Sequence, residues 1–290
     1  MSKNSKSIKQ MTEKHKYEYD ISPNTAPERV VHMVGSDKRI LELGSGPGAI
    51  TQILTANNCR VTALEIDSTA IEIVRPYCEN IYQCDLNYQA WPNILPDIGQ
   101  FETIVAADVL EHLYDPRACL DQLHGFLAKN GSLVVSLPHV GHAAVMACLF
   151  NSDFDYHSCG LLDETHVRFF GLTNIQTLFE AAGFKIIEVD FVVANPAKTE
   201  LSEQWARVPK RSQKNFLSGK FSHVYQVVLR AVPSESSGQA LKLTALPIPG
   251  LERLSITNHV RNNSIGGYFA SFIPSATREK ITKAFKKFGL

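Results

Sequence analysis

The residues best suited to chemistry fall into two groups. The first is Arg39-Ile-Leu-Glu-Leu-Gly-Ser-Gly-Pro-Gly48, a short apolar run that ends in three closely spaced glycines. Glycine lets the backbone turn sharply and approach a ligand with no Cβ in the way. Pro47 has the fixed φ that suits the first position of a helix, and Ile50, Ile53 and Leu54 continue at helical spacing. A strand, a glycine turn and a helix N-terminus make a nucleotide-binding corner. The second group is a set of histidines, His112, His139, His142, His157 and His166, interspersed with Asp153, Asp155, Asp163 and Glu164. Imidazole titrates near neutrality, so such a residue can take a proton from a reacting hydroxyl. The spacings match no standard metal-ligand pattern, and no metal is expected.

The glycines alone leave the nucleotide open. Gly44-Ser-Gly46-Pro-Gly48-Ala49 satisfies the dinucleotide pattern G-x-G-x-x-G/A, which points to NAD or FAD. It equally satisfies G-x-G-x-G preceded by an acid, Glu42. A second strand, Arg60-Val-Thr-Ala-Leu-Glu65, ends in a carboxylate that can accept ribose hydroxyls in either reading. The order further along separates them. Ile81-Tyr-Gln-Cys-Asp85 reads as a third strand with an acidic end, and Phe101-Glu-Thr-Ile-Val-Ala-Ala-Asp-Val-Leu-Glu-His112 as a fourth. Asp115-Pro116 reads as a helix start, with Leu120, Leu123 and Leu127 on one face. Lys129-Asn130-Gly131 turns into a fifth buried strand, Ser132-Leu-Val-Val-Ser-Leu-Pro138. His166-Val-Arg-Phe-Phe170 leads to a helix ending in Glu180-Ala-Ala-Gly-Phe184, where Thr173 and Gln176 suggest a capping box and Gly183 suits the helix end.

Taken together, these motifs resemble the class I S-adenosylmethionine (SAM) methyltransferases over about residues 37–193. The resemblance is nearest to the branch that includes ubiquinone-pathway and sugar methyltransferases. It implies that Gly44, Gly46 and Gly48 surround the methionine part of SAM, with Glu42 at its amino group or bracing the loop. It implies that Glu65 holds the ribose and Asp85 the adenine amino group. Ser45, Ile66, Leu86 and Ala107 join them as cofactor contacts. The segment after the fifth strand would help form the acceptor pocket, which makes His112, His142, His157 and His166 the candidate bases. Against this, His166 can instead order its segment, His112 can cap the turn into Asp115-Pro116, and Arg168 is expected to pair with an acid. The implied activity is methyl transfer to a small-molecule or glycan acceptor, first of all a hydroxyl. An NAD-linked oxidoreductase and a non-catalytic SAM-binding protein are the alternatives.

These residues must be positioned by strands alternating with helices, which predicts an α/β, Rossmann-like sheet of seven strands, mostly parallel, with helices on both faces. Phe184-Lys-Ile-Ile-Glu-Val-Asp-Phe-Val-Val193 is the sixth strand. Val224-Tyr-Gln-Val-Val-Leu-Arg230 is the seventh, antiparallel in the resembled family. A helix over about residues 26–34 precedes the first strand, and another is expected around Trp205 in the segment 195–220. The expected organisation is an N-terminal segment (1–36), in which Tyr17 and Tyr19 can fold over the cofactor, a methyltransferase domain (37–232) and a C-terminal extension (233–290) that begins with a linker.

Composition agrees. The 290 residues are 44% hydrophobic and 20% charged, ample for one α/β domain with extensions. A net charge of +0 gives no reason to expect a nucleic-acid partner. The six cysteines lack zinc spacing and suit a reducing cytoplasm, where the protein is expected. Neither a signal peptide nor a spanning segment is read. Residues 276–290 place Ile281, Ala284, Phe285 and Phe288 on one helical face with lysines elsewhere. Such a helix either docks on its own domain or lies on an anionic membrane surface.

Overall fold

The computed structural model describes residues 25–96 and 100–248. The expectations for residues 1–24 and for the C-terminal helix lie outside the described residues.

Seven strands form one sheet in the order β3-β2-β1-β4-β5-β7-β6. They are β1 (Arg39–Leu43), β2 (Arg60–Glu65), β3 (Asn80–Gln83), β4 (Phe101–Ala107), β5 (Leu127–Pro138), β6 (Phe184–Val193) and β7 (Val224–Pro233). The first five pair in parallel, whereas β7 runs antiparallel between β5 and β6. The parallel strands are apolar on both faces: Ile40, Leu41 and Leu43 of β1 and Val61, Ala63 and Leu64 of β2 are all buried. Strands buried on both sides need cover on both sides, and the helices supply it. These are α1 (Ala26–Val34), α2 (Ala49–Ala56), α3 (Ser68–Val74), α4 (Pro116–Leu123), α5 (Ala143–Phe150) and α6 (Leu172–Ala181). Two more, α7 (Ser202–Arg207) and α8 (Lys210–Leu217), pack against α5 rather than extending the sheet.

Strand order reverses at β1. Its neighbours are β2 on one side and β4 on the other, so the loops after β1 and β4 diverge and leave a crevice at their carboxyl ends. Every cofactor residue read from the sequence lies on this edge or next to it.

Several local expectations change. The helix after "HVRFF" begins at Leu172, not Thr173; Gly171 is its N-cap, and the Asn174 side chain accepts from the Gly171 amide. Gln176 therefore does not close a box and instead donates to Glu180. Gly183, at φ +75°, does end that helix as expected. Leu127 opens β5 instead of closing the α4 face. The stretch after β7 stays attached: Ser234 donates to the Gly183 carbonyl, Leu241 to that of Ile186, and Leu243 is fully buried.

Candidate active site

The glycine turn shows which of its members faces open space. A Cβ on Gly44 would lie 2.9 Å from Val109 Cγ2, and one on Gly48 would lie 2.6 Å from Val74 Cγ2. Those two glycines let the β1 turn pack against the β4 loop and against α3. A Cβ on Gly46 would meet nothing within 4 Å, although its φ is +53°. Gly46 is thus the position that keeps backbone bare toward the crevice, as a close-lying ligand requires.

Glu65 at the end of β2 reaches back to this turn. Its Oε2 accepts from the Gly46 amide at 2.7 Å, and its Oε1 accepts from Ile66 and Asp67 at 2.8 and 2.9 Å. A carboxylate offers about four acceptor positions, so one remains unused by these three amides. Glu42 is placed differently. It is buried beneath the turn, and its Oε2 accepts from Thr51 Oγ1 of α2 at 2.6 Å. Burial pushes its carboxyl up to about 7 despite the Thr51 bond, with Glu65 adding to the rise. Of the two roles considered for Glu42, the structure shows the brace. Ser45 is buried at the turn, and Ala107 lies half-buried at the end of β4. Asp85 is exposed two residues past β3 and accepts from the Asn87 amide, with Leu86 half-buried beside it. Ile66 is 58% exposed, an apolar side chain left at the rim of the crevice. An open glycine, a carboxylate with a spare acceptor position and an apolar rim fit the ribose and adenine of SAM.

Beyond β4 the chain makes a tight turn at Asp108, whose φ of +53° is unusual for a non-glycine residue. Ser136 Oγ donates to Asp108 Oδ1 at 2.8 Å, and Gln226 Nε2 donates to both carboxylate oxygens at 2.9 and 3.0 Å. Burial raises the Asp108 pKa, and these bonds oppose the rise. One short 3₁₀ turn, Leu110–His112, follows. Glu111 is 0% exposed, and neither of its carboxylate oxygens receives a hydrogen bond from another of the described residues. Burial holds its carboxyl well above the usual range, with Asp108 and Asp163 adding to the shift.

The "HVRFF" segment is fastened over this turn by its backbone. The amides of Val167 and Arg168 both donate to the Glu111 carbonyl at 3.0 Å. His166 comes down beside Glu111, with Nε2 3.9 Å from Oε1, and meets the His112 ring edge-on at 4.8 Å between centroids. Burial lowers the His166 pKa to about 4, with His112 adding to the shift. His112 Nδ1 lies 3.2 Å from the Thr165 carbonyl and 3.1 Å from its Oγ1. A carbonyl only accepts, so Nδ1 carries the proton and the Nε2 lone pair is left available. From His166 a series of aromatic rings runs outward through Phe169 and Phe154 to Tyr156.

The other two candidate bases are bonded differently. His142 is fully buried: its Nδ1 accepts from the Ala144 amide as the N-cap of α5, and its Nε2 lies 3.1 Å from the Ala194 carbonyl. Burial lowers its pKa to about 4. With both nitrogens committed it cannot accept a proton from substrate, and its candidacy as a base is withdrawn. His157 lies on the loop after α5, with Nε2 3.4 Å from Asp155. Asp115 caps α4 itself by accepting from Ala118, so His112 is not needed as a cap. Among the described residues Arg168 pairs with no acid: its guanidinium donates to the Tyr114 carbonyl and ties the segment to the β4 side. Thr165, Ser136 and Gln226 were not read as site residues; Gln226 is 118 positions from Asp108, and no spacing rule could have joined them.

The fold and this crevice are those of a Rossmann-like protein that binds a nucleoside-type cofactor, and comparison identifies the class. Residues 14–189 match a family model described as a methyltransferase domain, and the chain belongs to that family. It is a class I SAM-dependent methyltransferase, which overturns the NAD-linked reading. A ubiquinone biosynthesis O-methyltransferase of Coxiella burnetii is 19% identical over 165 residues, 56% of this chain and 70% of that protein. Two solved structures share the fold. A SAM-dependent methyltransferase of Archaeoglobus fulgidus has a TM-score of 0.53 at 13% identity, covering 77% of this chain and 98% of that one. The 1,6-didemethyltoxoflavin-N1-methyltransferase of Burkholderia thailandensis, solved with 1,6-didemethyltoxoflavin and S-adenosylhomocysteine, has a TM-score of 0.51 at 14% identity. It covers 80% of this chain and 87% of its own. Among the described residues, no helix is long and apolar enough to cross a membrane.

Proposed function

We propose that this methyltransferase acts on a hydroxyl of a small organic or glycan acceptor, and that His112 takes the proton. SAM supplies a methyl group already activated on a sulfonium, so the chain has only to hold donor and acceptor in line and manage one proton. Gly46, Glu65, Ile66, Asp85 and Leu86 would hold the donor along the β1, β2 and β3 ends. The acceptor would enter between the β4 loop and the "HVRFF" segment, against the wall formed by Phe169, Phe154 and Tyr156.

The observation that carries the reading is the place of His112 Nδ1, 3.2 Å from the Thr165 carbonyl. A carbonyl only accepts, so the proton belongs on Nδ1 and Nε2 is the acceptor nitrogen. As the methyl–oxygen bond forms, the hydroxyl proton passes to Nε2. The similarity to an O-methyltransferase supports oxygen as the acceptor atom.

Thermal unfolding with SAM and with S-adenosylhomocysteine comes first, followed by transfer of labelled methyl groups to a panel of phenols, sugars and amines. The reading expects label in ethers, and expects His112→Ala to lose turnover while keeping SAM affinity. Label only on nitrogen or carbon would overturn the oxygen assignment. SAM binding with no transfer to any acceptor would favour the non-catalytic alternative.

A further inference from the structure

Among the described residues, Glu111 is a carboxyl with no exposure and no hydrogen-bond donor from another residue at either oxygen. Native structures rarely leave such a group, because an unsatisfied buried polar atom costs on the order of 1–3 kcal/mol, and more if charged. Two more acids, Asp108 and Asp163, act on Glu111 electrostatically. One donor atom each from Glu111, His112 and His166 lie within 4.8 Å of one another.

We propose that Glu111, His112 and His166 bind one divalent transition-metal ion. Two imidazoles and one carboxylate are borderline nitrogen and oxygen ligands, which suit zinc, cobalt or manganese better than calcium or magnesium. Ligands about 2.1 Å from one tetrahedral ion stand about 3.4 Å apart, so the widest pair closes by up to about 1.4 Å on binding. The surroundings are already arranged for this. The His112 Nδ1 proton is fixed on the Thr165 carbonyl, the usual way a ligating imidazole is oriented and its other nitrogen freed. Thr165 is itself held, its amide and hydroxyl both donating to Asp163 Oδ1 at 2.7 and 2.6 Å. The Val167 and Arg168 amides lock the segment that carries His166 onto the Glu111 backbone. The two halves of the site, 54 residues apart in sequence between His112 and His166, are thus in place without the ion.

Three protein ligands leave a coordination position open, as catalytic sites do. On the O-methyltransferase reading, which this role rests on, the open position takes the acceptor oxygen. The ion lowers the hydroxyl's pKa, its proton leaves to solvent, and the oxygen keeps the lone pair it needs. The Nε2 lone pair of His112 cannot serve both as ligand and as base. With the ion bound it is a ligand, and the ion acidifies the hydroxyl in its place.

The test is direct binding, with neither SAM nor acceptor present. The full-length, tag-free protein is stripped with chelator and titrated with Co²⁺, read by visible absorption, and with Zn²⁺, read by calorimetry. The expected result is one ion per chain, with Glu111→Gln and His166→Asn each weakening it at least about tenfold while SAM affinity holds. No binding would overturn the site, as would one ion whose affinity neither variant changes. If Glu111→Gln fails to fold, His166→Asn carries the test, because Asn keeps a polar side chain there and the segment is held by its backbone amides. Methyl transfer that runs undiminished in chelated protein would overturn the ion's part in the reaction and leave the imidazole base standing. An ion bound by a chain that transfers no methyl group to any hydroxyl would support the site and remove the O-methylation reading instead.

Discussion

Glu65 and Gly46 show how one residue can serve the turn and the ligand together. The Glu65 carboxylate accepts three backbone amides and keeps one acceptor position that they do not use. Hydrogen bonds to a charged group are worth about 1.5–3 kcal/mol each, so Glu65→Ala should weaken SAM roughly 10- to 100-fold. Calorimetry with the variant still cooperatively folded checks this, and an unchanged affinity would remove Glu65 from the cofactor site. The glycines should separate by what a Cβ meets. Gly46→Ala costs about 1–2 kcal/mol for its left-handed backbone but clashes with nothing, so its main loss should be SAM affinity. Gly48→Ala drives a Cβ into Val74, adding about 1–3 kcal/mol of overpacking, so its main loss should be Tm. Melting curves and SAM titrations on both variants decide it; the reverse pattern would mean that Gly48, not Gly46, faces the cofactor.

At the scale of elements, α5 is set in place by a histidine that must stay neutral. His142 caps the helix and is fully buried, and its pKa falls from about 6.5 to about 4 on folding. The unfolded chain therefore takes up the proton first as the pH drops. The stability tied to His142 is complete above about pH 6.5 and is lost as the pH falls toward 4, on the order of 3 kcal/mol in all. Burial shifts His139 and His223 the same way. Urea unfolding across that range should show the decline, and His142→Asn, which can still cap, should flatten it. A parent protein equally stable at both ends of the range would rule out a neutral buried cap.

At the scale of the whole molecule, the described unit extends past the last strand. Leu243 is fully buried, and its amide donates to Gln176 on α6, so the chain after β7 closes over that helix. Leu243→Ala should cost about 2–5 kcal/mol and lower Tm by several degrees with SAM affinity unchanged. A neutral effect would mean that the folded domain ends near residue 233. The placement of β7 matters for the site as well. Running antiparallel between β5 and β6, it brings Gln226 to Asp108 and fixes the strained turn that precedes Glu111 and His112.

Local patterns were enough for much of this. An apolar strand followed by three glycines can do little but turn close to a ligand, and alternation of strands with helices forces a parallel sheet with a crevice at its switch point. Those features, with the "LEH" and "HVRFF" stretches, made the class and the cofactor edge legible from residue order alone. What each acid and histidine does was not legible, because it depends on contacts between distant segments. Glu42 braces α2 through Thr51, His142 is spent on a helix cap, and Arg168 holds a carbonyl where an acid was expected. The meeting of Glu111, His112 and His166 is the extreme case. Ligand spacing along the chain carries no trace of it, since hydrogen bonds between distant residues bring the two segments together, those of Val167 and Arg168 to Glu111 and of His112 to Thr165 among them.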